Sequence, residues 1–431
     1  MAGSVVCRIG SFFLNLVINA NLVIIKTFLQ QQDKNMGKLI GGIFLIVGTS
    51  LGAAMLALPV ATASSGFWSS SLLLLFCWII MTLGALALLE VSLSLPENNN
   101  MISMAGETLG RTAQIIAWIV YLVLFYALVS AYISGGADVI HALLQLLGIS
   151  ISLNTNALIF TIVLGYIVYC DVTSVDRVNR AIMSIKFFAL LLLIFSVVPQ
   201  VKWENLNGGE SRHLFTVITV AITSFGYASI IPTLRTYFKG DTKRLKQAVL
   251  IGSLIPLVCY LAWDLVVIGA IPSLLLAAIV HSPTPISNLS QAIVVQINMP
   301  LVTTLIRIFT SVCMFTSFLG VSLGLSDFLA DGFRLPKEGI NKIIVMALTF
   351  VPPLAMVLFK PDLFLRGLRY AGICCVILLV LLPAFMVWSG RYIKAAANMK
   401  PVLPGGKPVL LLMVVIGLGI IALGFWQDFI V

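Results

Sequence analysis

Apolar runs of roughly 18 or more residues recur along the chain, and runs of that length are read as membrane-spanning helices. No water satisfies backbone amides and carbonyls in hydrocarbon, so a spanning segment must close its hydrogen bonds within itself or in a sealed barrel. Barrel strands are shorter and alternate apolar with polar residues, and these runs do neither. Composition agrees with a membrane class. The 431 residues are 60% hydrophobic and 10% charged, whereas a soluble domain carries roughly 25% charged residues.

Taking about 20 residues per span, the sequence predicts an all-α membrane protein of about 11 helices, near 39–62, 70–93, 112–137, 156–173, 180–199, 213–234, 247–271, 301–330, 340–359, 367–389 and 408–426. Turn-forming linkers separate them, including Pro96-Glu97-Asn98-Asn99-Asn100, Asn207-Gly208-Gly209 and Pro404-Gly405-Gly406. Residues 36–431 then form one transmembrane domain, with no segment that reads as a soluble module. Residues 1–35 are an N-terminal extension. Its apolar stretch Ser11–Ile25 is short for a span and reads as a signal-like segment, an interfacial helix or sequence upstream of the start in use, for which Met36 is the natural position.

Net charge is +10, yet the basic residues lie mainly in short linkers, where they act as topology signals rather than as a nucleic-acid surface. With the N-terminus in the cytoplasm, Arg235, Lys239, Lys243, Arg244 and Lys246 fall together inside. Only Lys202, Arg212, Lys360, Arg366 and Arg369 fall outside, and the C-terminus faces outward. The seven cysteines form no Cys-x-x-Cys, and His141, His213 and His281 are too far apart for metal-ligand spacing. A P-loop, a Gly-x-Ser-x-Gly elbow and a His-Glu-x-x-His are absent. The reading is therefore neither an enzyme nor a cofactor-binding protein.

Two spans carry their own interruptions. The first reads Gly48-Thr49-Ser50-Leu51-Gly52-Ala53-Ala54 with Pro59 beyond; the sixth reads Thr223-Ser224-Phe225-Gly226-Tyr227 with Pro232 beyond. Glycine weakens a helix by about 1 kcal/mol and proline by ~3, so both segments are primed to unwind. Irregular backbone at membrane depth is tolerated only where protein buries it or a cavity needs it. Small residues at Gly48, Gly52 and Ala53 also suit plain close helix contact. Interruptions at corresponding positions of two halves instead point to a transporter built from inverted repeats, with substrate at the breaks. The halves are residues 39–199 and 213–389, and 408–426 is an extra helix. Freed amides at such breaks attract a carboxylate and freed carbonyls an ammonium, which suits an amino acid. Thr49, Ser50, Gly52, Ser224 and Gly226 are the candidates to bind its backbone.

The stretch Gly48–Pro59 resembles the opening motif of the aromatic amino acid permease family, most closely its tyrosine-specific branch. Further matches are Leu88-Leu89-Glu90-Val91, Tyr126-Ala127-Leu128, Ala131-Tyr132-Ile133-Ser134-Gly135, Thr223-Ser224-Phe225-Gly226, and Thr316-Ser317-Phe318-Leu319-Gly320-Val321 with Asp327. The resemblance runs from about Met36 to the C-terminus. It implies a five-plus-five inverted repeat of the amino acid–polyamine–organocation type, in a bacterial cytoplasmic membrane, importing an aromatic amino acid together with a proton. An uncoupled channel or an amino acid sensor on the same fold stays open. Ala228 stands where the tyrosine permeases tend to carry histidine, which makes tryptophan or phenylalanine acceptable alternatives to tyrosine.

Ionisable residues inside spans are costly and mark function. By the same resemblance, Lys186 in the fifth span places its ammonium between the first and eighth spans, where sodium-coupled relatives of the fold hold sodium. Lys186, Glu90 and Asp327 are the candidates for proton coupling, with an ion pair as the other role for the two carboxylates. Snorkelling to the interface is the alternative for Lys186. Asp264 and Arg307 lie at similar depth and are expected to pair. Phe225 and Tyr126 are the candidates to contact the aromatic side chain, beside Tyr132 and Tyr227. Lipid is the other expected partner, and no protein partner is evident.

Overall fold

The computed structural model describes residues 36–97, 99–170, 172–209, 214–280, 282–336, 338–360, 362–394 and 401–430. The 1–35 extension, His213 and His281 lie outside the described residues. Those described form helices joined by short turns, with no strand among them.

The chain begins with α1 (Met36–Ser50) and α2 (Ala54–Thr62), which continues through a 3-10 turn to Ser65. The two are bent by 55° where the glycine-bearing stretch gives way. Then follow α3 (Phe67–Ser94), α4 (Met101–Leu109), α5 (Arg111–Leu146), α6 (Leu153–Cys170), α7 (Val172–Val197) and the one-turn α8 (Trp203–Leu206). The second half contains α9 (Leu214–Thr223), α10 (Ile231–Phe238), α11 (Thr242–Ala270), α12 (Ser273–Val280), α13 (Pro285–Ile297), α14 (Pro300–Phe333), α15 (Gly339–Phe359), α16 (Leu363–Val376), α17 (Leu382–Trp388) and α18 (Gly406–Ile430).

Among the described residues nine helices are long and apolar enough to cross a membrane, and the bent α1–α2 pair makes ten. The chain is thus a multi-pass membrane protein. One of the nine, Val217–Phe238, contains the second interruption: α9 ends at Thr223 and a 3-10 turn over Gly226–Ile230 joins it to α10. Another, Leu363–Ile393, joins α16 to α17 through a π-helical segment over Ile377–Leu381 and ends in a second one over Ser389–Ile393. Several helices overrun the apolar windows read from sequence; the expected 112–137 becomes Arg111–Leu146. There the helix runs past Asp138 through the apolar Val139, Ile140, Leu143, Leu144 and Leu146, so the charged residue that bounded the window does not end it.

Local chemistry sets the ends. Asn100 accepts from Ser103 N to start α4, and Asp241 accepts from Lys243 N and Arg244 N to start α11. Gly66 turns the chain from α2 into α3 at φ 75°; a Cβ there would lie 1.8 Å from Gly208 O, so both the conformation and the contact require glycine. Interior contact depends on small residues, because lipid supplies no hydrophobic drive between helices. On α16, a Cβ at Gly372 would meet Thr219 O at 1.9 Å, and one at Gly367 would meet Ala127 O at 2.7 Å. This helix therefore sits backbone to backbone against both α9 and α5.

The end of the bundle where α1 starts, the Met36 end, is fastened by charge. Buried Arg235 of α10 donates to the carbonyls of Ser92, Leu95 and Pro96, the unsatisfied C-terminal acceptors of α3. Glu90 of α3 takes Arg391 on both carboxylate oxygens, at 2.5 Å each, and its Oε2 also accepts from Val402 N and Leu403 N.

Candidate functional site

The two interruptions meet in the middle of the bundle. Tyr260 of α11, wholly buried, places its hydroxyl 2.6 Å from Ser50 O, at the end of α1, and 2.8 Å from Ser224 O, the first carbonyl past α9. From the opposite side, Ser317 of α14 accepts Ala53 N at 2.8 Å, and a Cβ on Gly52 would come within 2.9 Å of its hydroxyl. Lys186 of α7 is buried and donates to Leu51 O, the first carbonyl of the irregular stretch. Lys186 is 4% exposed and α7 packs against α14, so the side chain stays inside the bundle beside the break and does not snorkel. Gly52 N turns back on Ser50 O at 2.8 Å, and α2 restarts through Met55 N to Gly52 O and Leu56 N to Ala53 O.

The other expected backbone-binding residues fall around this point. Thr49 is exposed, its hydroxyl folded back on Leu45 O. The Ser50 side chain is buried with no hydrogen-bond partner for Oγ. Ser224 Oγ turns to Val220 O at 3.4 Å. Gly226 borders open space: a Cβ there would touch only Cys375 Sγ, at 3.9 Å, and Gly226 O accepts from exposed Ser229. Gly320, one turn past Ser317, is exposed and has nothing within 4 Å of an added Cβ. Thr49, Ser229 and Gly320 all lie on the Met36 side of the breaks, whereas Phe225, Tyr260 and Trp263 close the other side as buried residues.

The aromatic candidates divide differently from the sequence reading. Phe225 is wholly buried and meets the Tyr260 ring edge to face at 5.2 Å, so it supports the bridging tyrosine. Tyr126 is turned away, donating to Leu348 O of α15 at 3.0 Å. Tyr132 lies on another face of α5 and is buried. Tyr227 is held in the core by Thr82 of α3 at 2.9 Å. Ala228 is wholly buried.

The charged candidates separate as well. Glu90 is engaged by Arg391 and two loop amides far from the breaks, and Asp327 is exposed on α14. Asp264 and Arg307 do not pair. Thr62 of α2 meets the Asp264 carboxyl, while Arg307 lines a surface cavity of about 210 Å³ together with Gln145, Ser287 and Gln291. The sequence reading missed Asp138, a buried carboxylate of α5 that accepts Ile286 N and Ser287 N at the start of α13. It also missed Tyr260 and Arg391. A tyrosine in mid-span, four residues before an aspartate, is the available signal for Tyr260.

Tyr260 has one hydroxyl proton for two carbonyls, so it joins two broken helices with a single group. Tyr260→Phe is expected to leave both without that donor, costing about 1–3 kcal/mol. A lowered unfolding midpoint in detergent is the readout; an unchanged midpoint would mean that this hydroxyl does not hold the two breaks together.

The model of the tryptophan/tyrosine permease family matches residues 35–423. The tyrosine-specific transport system 1 of Haemophilus influenzae is 32% identical over 396 residues, covering 90% of this chain and 97% of the relative. The tryptophan-specific transport protein of Shigella flexneri is 28% identical, covering 88% and 93%. Glutamine transporter 2 of Aliivibrio fischeri is 32% identical, covering 82% and 89%.

Proposed function

Because this chain belongs to the tryptophan/tyrosine permease family, we propose that it is a secondary transporter importing an aromatic amino acid with a proton across a bacterial inner membrane. The observation that carries the site is the convergence of both interruptions on Tyr260, with Lys186 on the carbonyl between α1 and α2. The substrate carboxylate and ammonium belong there, at Ser50, Gly52, Ser224 and Gly226, with Thr49 at the mouth. Tyr132, buried on another face of α5, replaces Tyr126 as the α5 candidate for the substrate side chain. Arg235, Lys239, Lys243 and Arg244, clustered at the Met36 end, support a cytoplasmic face there, which makes the described conformation open inward.

An inverted repeat accounts for two further features. Short α4 lies at the Met36 end between α3 and α5, and short α12 and α13 lie at the other end between α11 and α14. The 26-residue α7 supplies the eleventh span. Of the three coupling candidates, Lys186 is the one at the break, so it is the one assigned to coupling. An intramembrane cation there answers to proton movement and fixes the break through Leu51 O.

The test is uptake of labelled tyrosine, tryptophan, phenylalanine and glutamine into proteoliposomes under an imposed pH gradient. Accumulation above equilibrium is expected for at least one aromatic amino acid. Glutamine is included because a relative that bears its name shares the same 32% identity over a somewhat shorter stretch. Equilibration without accumulation would make the protein a channel, and no uptake of any of the four would sink the transporter reading.

A further inference from the structure

Three buried carboxylates stand in the described spans, and their surroundings differ in one respect. Glu90 faces a guanidinium and two amides, and Asp138 faces two amides at a helix start; both settings hold a negative charge. Asp264 of α11, 1% exposed, has no such support. Among the described residues its one bonding partner is the Thr62 hydroxyl, 3.2 Å from Oδ2, and Oδ1 has none.

That hydroxyl is already committed. Thr62 Oγ1 lies 2.8 Å from Leu58 O, the back-bond of a threonine inside a helix, and a hydroxyl has one hydrogen. Two oxygens, Leu58 O and Asp264 Oδ2, therefore face Thr62 Oγ1 with one hydrogen from the threonine between them. A second hydrogen on the carboxyl completes the set: Thr62 donates to Leu58 O, and Asp264 donates to Thr62. The same proton removes an unpaired charge from the bundle interior, where leaving it uncompensated is the costly alternative.

Among the described residues the surroundings offer no other counter-charge; Glu210, Arg212, His213 and His281 lie outside them. On its own helix the titratable neighbours are Cys259 and Tyr260. The sequences of α2, α12 and α13, and α3 before Glu90, contain no charged residue; the outer part of α7 beyond Lys186 has none either. Lys202 and Glu204, near α8, are exposed at the far surface. Arg307 of α14 lines the cavity beside α5 and α13. Asp264 stands four residues, about 6 Å, from Tyr260 along α11, on the same helix face and on the side of the breaks away from the Met36 end.

We propose that Asp264 is the outer proton site of this transporter, protonated in the described conformation through its contact with Thr62. This rests on the proton-coupled reading above. When α2 and α11 part on the outer side, the carboxylate takes a proton from outer water, forming its O–H bond and losing its charge. Closure buries it as the neutral acid. The proton leaves to water in the binding site, one helical turn further in, and the carboxylate is regenerated. Asp264 and Lys186 then stand on either side of the substrate.

Two measurements test this on the full-length protein in proteoliposomes. Infrared difference spectroscopy should show the carbonyl stretch of a protonated carboxylic acid in the wild type at neutral pH. That band should vanish in Asp264→Asn and shift in Thr62→Ala. Uptake under a driving force of about 100 mV should lose a roughly fiftyfold accumulation in Asp264→Asn while tracer exchange persists, with partial rescue in Asp264→Glu. A wild type without the band overturns the proposal whether or not the variants fold, as does Asp264→Asn with accumulation intact. A wild type that shows the band but never accumulates substrate instead overturns the proton-coupled reading, on which the proton's role depends.

Discussion

Lys186→Ala is expected to collapse gradient-driven accumulation while leaving the protein folded. A proton moved through a driving force of about 100 mV releases about 2.3 kcal/mol, enough for roughly fiftyfold accumulation of a coupled solute. The lysine donates to Leu51 O in the irregular stretch, so its side chain holds the break. Alanine removes the charge and the donor together, and the expected accumulation ratio is about one, with facilitated exchange still measurable. Lys186→Arg keeps the charge but not the shape and should recover little, because a planar fork does not fit a site built for a compact ammonium. Parallel uptake and counterflow assays separate loss of coupling from loss of transport. Unaltered accumulation in Lys186→Ala would take the residue out of the mechanism.

Glu90→Gln should be the more damaging change to stability. The Glu90 side chain is inaccessible and that of Arg391 only 12% exposed, so the substitution strands a cation inside the bundle. Removing one partner of a buried pair costs about 3–5 kcal/mol, whereas replacing both by apolar groups of similar volume is often neutral. The single variant should therefore unfold far more readily in a denaturant titration, and Glu90→Gln with Arg391→Met should regain most of the loss. Uptake by the double variant decides the functional question: coupling retained there assigns Glu90 to fastening the linker before α18, by way of Val402 N and Leu403 N, and not to carrying the proton.

Both residues were visible in the sequence as charges inside apolar runs, and their roles were not. Local chemistry marks a costly side chain, but its meaning depends on what comes opposite from a distant part of the chain. Arg391 lies 301 residues from Glu90, and Leu51 lies 135 from Lys186. The same reasoning explains the aromatics. Phe225 and Tyr126 were reasonable choices by position, yet which face a helix turns inward is fixed by its neighbours. The structure puts Phe225 behind Tyr260 and points Tyr126 at α15. Pairing Asp264 with Arg307 from equal depth failed for this reason too: depth along an axis leaves rotation about it undetermined.

The sequence by itself determined the membrane class, the helical content, the places of both breaks and the family. Those follow from run length, from the scarcity of charge, and from glycine and proline acting on the backbone within a few residues. Tertiary structure alone decided that the breaks share one tyrosine, that Lys186 rather than Glu90 faces them, and that Thr62 is the one described residue bonded to Asp264. Each depends on the rotation and contact of helices far apart in the chain, and in a bilayer that is set by small residues such as Gly367 and Gly372 letting backbones meet.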